Sequence, residues 1–174
     1  MQELLGNGSR DYPFVPIMSN GTSGDINNIN FLGGQWKPSG PYEQMEHVAN
    51  VVAERAHEVV KQMTFESWVP LAAEQTELQL GVRKPTNDEI TLAKKLLVGT
   101  EGKVLTNREQ IYARESIKLQ EYPNQVPLLI SAMRIGDLAI TAIPCEVFVE
   151  IGLEIKEKSP FKKTFTVSLA NGYN

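Results

Sequence analysis

The chain has 174 residues, a hydrophobic fraction of 41%, a charged fraction of 22% and a formal net charge of −4, as expected of one globular domain or a piece of a larger one. The negative charge and the absence of a Lys/Arg cluster argue against a nucleic-acid or anionic-membrane surface. No apolar run approaches the roughly 20 residues that span a bilayer, and the single Cys145 rules out an intramolecular disulfide and any Cys-based zinc cluster.

In chain order, "MQELLGNGSRDY" has neither the basic start nor the apolar core of a signal peptide, and Glu3–Leu5 reads as a short helical tail. "PFVPIM" reads as a buried strand of about five residues. A Gly/Asn-rich loop, "MSNGTSGDINNINF", and a second irregular stretch, "LGGQWKPSGP", separate it from a helix over Pro41–Met63. Pro41 suits the first helical position and Glu43 the first turn. Val48, Val52, Ala56, Val59, Val60 and Met63 recur near the 3.6 period as one apolar stripe. "TELQLGVR" alternates, with Thr76, Leu78, Leu80 and Val82 on one face, which predicts a half-buried strand. Capping boxes at Thr86/Glu89 and Thr106/Glu109 announce two further helices.

"PLLISAMR" and "LAITAIP", separated by Ile135-Gly136-Asp137, predict a β-hairpin at about 126–143, closed by Pro144, which cannot donate to the ladder. A helix from about Cys145 to Lys158 follows, with Phe148, Ile151 and Ile155 inward and Pro160 as its stop. "KTFTVSLA" is the last strand. The order gives an α/β fold, a mixed sheet with helices packed on it, without repeats or linkers, spanning 1–174. The chain stops at "VSLANGYN", inside a Gly/Asn turn signal, a pattern expected of an incomplete part of a larger catalytic domain.

Two constellations could carry chemistry. A strand running into "NGTSGD" has the layout of a site at the carboxyl end of a sheet. Gly21 and Gly24 permit close backbone approach, so that N–H groups can converge on an anion or a carbonyl oxygen. Asp25, Asn27 and Asn28 add a carboxylate and two amides that can orient a substrate. The competing reading is a passive turn in which Asp and Asn bond to their own backbone. In "IGDLAITAIPCEVFVEIG", Glu146 falls in the first turn of a helix just after a strand. It is either a carboxylate projecting from the sheet's edge or an acid that complements the helix dipole, worth roughly 0.3–1 kcal/mol. His47 and His57 share one helix ten residues apart, about 80° and roughly 15 Å from one another, so they do not bind one ion together. Cys145 has no neighbouring base to activate it.

At these segments the chain resembles the neutral/alkaline (non-lysosomal) ceramidase family, in the second half of its zinc-dependent catalytic domain. "MSNGTSGDINN" is similar to the family's Gly-Asp-Val-Ser-Pro-Asn loop and the Ser/Asn run before it. "IGDLAITAIPCEVFVEIG" is similar to its hairpin and Pro-Gly-Glu helix start. "VSLANGYN" is similar to the strand and Asn-x-Tyr turn that follow, in the same order. The resemblance implies a zinc-dependent amidohydrolase acting on a small-molecule or lipid N-acyl amide, from a family that is typically secreted or periplasmic. Glu146 matches the zinc-binding glutamate, with Cys145 in place of the glycine, and Tyr173 lies in the segment that supplies a tyrosine ligand. Gly24 and Asp25 match the Gly-Asp pair, and Asn20 stands in the run before it.

The family's active-site serine falls on Asn27 and its proline on Asn28. An amide is no nucleophile, so the resemblance implies attack by metal-activated water with Asn27 as an orienting group. The family's two histidine ligands belong to motifs preceding this loop, so the chain is expected to hold only part of the site. The alternative is a non-catalytic ligand-binding α/β module derived from that family. A third reading, a purely structural domain, places Asp25 and Glu146 far apart.

Overall fold

A computed structural model describes residues 17–27, 32 and 40–173. The described chain forms four helices and one mixed four-stranded sheet, the expected α/β fold. Two compact units divide it: one takes in the residues up to Gln75 together with Ser131 onward, the other Thr76–Ile130.

In the first unit, α1 spans Glu43–Gln62, starting two residues after Pro41 because Tyr42 takes a left-handed conformation (φ 69°) as N-cap. The Glu43 carboxylate folds back to accept the Gly40 N–H at 2.8 Å. None of its residues is buried, and the predicted apolar stripe remains about half exposed. β1 (Leu71–Gly81), which belongs to the first unit up to Gln75 and to the second from Thr76, is exposed along its whole length, which corrects the half-buried strand expected there. Alternation marks a face, and no described layer covers it.

The hairpin lies where the sequence placed it. β2 (Gln125–Ile135) pairs antiparallel with β3 (Leu138–Ile143), from Ser131↔Ala142 to Ile135↔Leu138. The turn shrinks to Gly136-Asp137, with Gly136 at φ +60° in the region glycine enters without steric cost. β4 (Lys163–Ser168) runs parallel to β3, from Leu138↔Lys163 to Ile143↔Ser168. α4 (Val149–Lys158) makes the crossover that parallel neighbours need and packs on β4. Between the two parallel strands the Thr141 and Thr166 hydroxyls share a hydrogen bond of 2.7 Å, which satisfies the buried Thr166. Leu169 takes φ 54° and ends β4 before the predicted "LA".

α4 starts four residues later than the predicted helix. Cys145 and Val147 stay outside it, because their carbonyls accept the N–H groups of Leu169 (3.1 Å) and Gly24 (2.9 Å). Glu146 is therefore not in the first helical turn, and Phe148 is the N-cap. Phe148 (54% exposed) and Ile151 (48%) are not buried as expected; Gly152 is the buried residue of α4 and Ile155 is half-buried.

In the second unit, α2 (Asn87–Leu96) opens with the predicted capping box. Thr86 Oγ1 accepts the Glu89 N–H at 3.3 Å, and the Glu89 carboxylate accepts the Thr86 N–H at 2.7 Å. α3 (Arg108–Glu121) is capped by Asn107 rather than Thr106, Oδ1 accepting the Glu109 N–H at 2.8 Å. Asn is at least as good an N-cap as Thr, and the helix starts one residue later to use it. Ile90, Ala93 and Ala113 are buried where α2 and α3 pack. Lys84 Nζ donates to the carbonyls of Leu119 and Gln120 at 3.1 Å and to that of Tyr122, closing the C-terminal end of α3.

Of the predicted strand "PFVPIM", residues 13–16 lie outside the described residues, as do Glu3–Leu5; Ile17 and Met18 are exposed and not in a strand.

Candidate functional site

Three stretches of the first unit converge: the loop from Asn20 to Ile26, the turn from Pro144 to Val149, and the end of β4. The junction is made by backbone. Ser168 N–H donates to Asn20 O at 3.1 Å, Gly24 N–H to Val147 O at 2.9 Å, and Ala170 N–H to Ile143 O at 3.1 Å. Glycine is required at Gly24, where a Cβ would stand 2.4 Å from Glu146 O. Gly152 plays the matching part on α4, since a Cβ there would stand 2.2 Å from Thr22 Oγ1. Contacts that short do not occur without displacement of one partner.

Asp25 is what locks the junction. Its Oδ1 accepts the Val149 N–H at 3.0 Å, at the first helical position of α4, whose N-cap Phe148 offers no side-chain acceptor. A carboxylate there satisfies an orphan donor and meets the positive end of the helix dipole. Neither sequence reading of this loop foresaw that partner. Asp25 does not cap its own turn; Ser23 O accepts the Ile26 N–H at 3.1 Å and does that instead.

Of the other sequence-derived site residues, Asn27 is described and exposed, and Asn28 lies outside the described residues. Glu146 is exposed beside Gly24, and Tyr173 is 75% exposed just past the turn after β4. Among the described residues no hydrogen bond or ion pair joins Glu146 and Tyr173. Nor do any three His, Cys, Asp or Glu side chains there stand grouped to hold a metal ion. A zinc centre takes about three protein ligands; Glu146 and Tyr173 supply two oxygen donors at most, so the described residues do not by themselves fit zinc. Burial pushes the half-buried Cys145 thiol upward in pKa, the opposite of what a nucleophilic thiolate needs.

Sequence reasoning missed Ser168. The residue is 3% exposed, and its hydroxyl has no partner among the described residues. The period-2 run Thr164, Thr166, Ser168 was the signal that places it on the face where Thr166 bonds Thr141. A separate cavity of about 410 Å³ runs along α4, lined by Ala132, Ala139, Thr141, Ile151, Ile155 and Phe161 among others. It includes none of the candidate residues.

No protein-family profile, curated protein or solved structure matches the chain. No helix among the described residues is long and apolar enough to cross a membrane.

Proposed function

We propose that the chain is part of a zinc-dependent amidohydrolase of the neutral-ceramidase kind and supplies the wall that holds an N-acyl amide substrate. The observation that supports this reading is the backbone junction of Asn20–Asp25 with Cys145–Val149 and Ser168–Ala170. These are the three segments on which the family resemblance rests, and the first is far from the other two in sequence. In this reading Gly24 lets the loop close onto the Glu146 carbonyl, and the Asn20 and Asn27 amides orient the substrate carbonyl. Asp25 fixes the start of α4 and with it the turn that carries Glu146. Glu146 and Tyr173 are the proposed metal ligands, and the remaining ligands would come from outside the described residues. No step is assigned through the metal.

The test is calorimetric titration with zinc and with a soluble N-acyl amide, beside hydrolysis of a fluorogenic amide with and without chelator. The expected result is amide binding that Asn27→Ala abolishes, weak zinc binding that Glu146→Gln abolishes, and no turnover by this chain alone. Amide binding that is absent, or indifferent to Asn27→Ala, overturns the reading.

Asn27 favours a second reading. An amide where the family has its serine suits a non-catalytic module that binds a polar ligand. That reading predicts the same amide binding with no dependence on zinc or on Glu146.

A further inference from the structure

We draw no further inference here: the strongest candidate, the apolar face of α1 carried by Val48, Val52, Ala56 and Val59, unpartnered among the described residues, carries nothing because nothing in the structure shows what covers it.

Discussion

Asp25 accepts the backbone N–H of Val149 across 124 positions of sequence, at 3.0 Å. One exposed carboxylate therefore both ends a loop and begins a helix. Its removal should be felt in α4 rather than in its own turn. Asp25→Ala is expected to destabilise the protein by about 0.5–2 kcal/mol, the range for losing an N-terminal cap, while Asp25→Asn, which keeps an acceptor oxygen, loses less. Urea denaturation of the two variants measures the difference. Equal stability of Asp25→Ala and the parent would show that the loop is not docked in solution.

Gly24 and Gly152 hold the same junction, but against different neighbours. At Gly24 the obstacle is the Glu146 carbonyl, which is backbone; at Gly152 it is the Thr22 side chain. Gly24→Ala should therefore cost about 1–3 kcal/mol as an overpacked contact, with no compensating substitution. Gly152→Ala should be partly rescued by Thr22→Gly, which a double-mutant cycle of unfolding free energies detects as non-additivity. Strict additivity of that pair would refute the packing argument.

Ser168 buries a hydroxyl without a partner among the described residues. An unsatisfied buried polar group costs stability, so Ser168→Ala is expected to be neutral or stabilising by up to about 1 kcal/mol. Thermal unfolding reads this directly. A clear loss of stability would mean that the hydroxyl has a bonding partner in solution, an ordered water being the simplest.

The α2 capping box gives a pH dependence with a defined sign. Hydrogen bonds from the Thr86 backbone and hydroxyl hold the Glu89 carboxyl below its ordinary value of 4.5. A group depressed in the folded state contributes stability above its unfolded pKa and loses it as pH falls through the folded one. The helix pair should thus keep its cap at neutral pH and lose it as pH drops from about the ordinary carboxylate value downward. Helicity followed by circular dichroism should show this acid transition reduced in Glu89→Gln. An unchanged transition would assign it to other carboxylates.

The parts of the fold legible in the sequence are those whose signals are local. The hairpin follows from the turn signal Ile135-Gly136-Asp137 between apolar runs, and the start of α2 from a Thr and a Glu three residues apart. The start of α4 was not legible, because its position depends on Gly24 and Leu169, which take the Val147 and Cys145 carbonyls out of any helix. The role of Asp25 was hidden for the same reason: its partner is a backbone N–H, which leaves no mark on residue identity. β1 misled in another way, since alternation reports a potential face and says nothing of what lies against it.

The anchorage of α3 by Lys84 bears on the order in which the protein can assemble. Lys84 reaches acceptors no further along than Tyr122, so the helix pair can close its own contacts once that residue has left the ribosome. The junction of the first unit cannot. Asp25 must wait for Val149 and Asn20 for Ser168, and closing so long a stretch of chain carries a larger entropy cost. During synthesis the nascent chain should therefore hold a finished helix pair beside an unfinished candidate site. Chains arrested on a linker long enough to carry Tyr122 out of the ribosome should already protect Ala113 from hydrogen exchange, whereas protection of Val149 N–H should appear only when the whole of β4 has emerged as well.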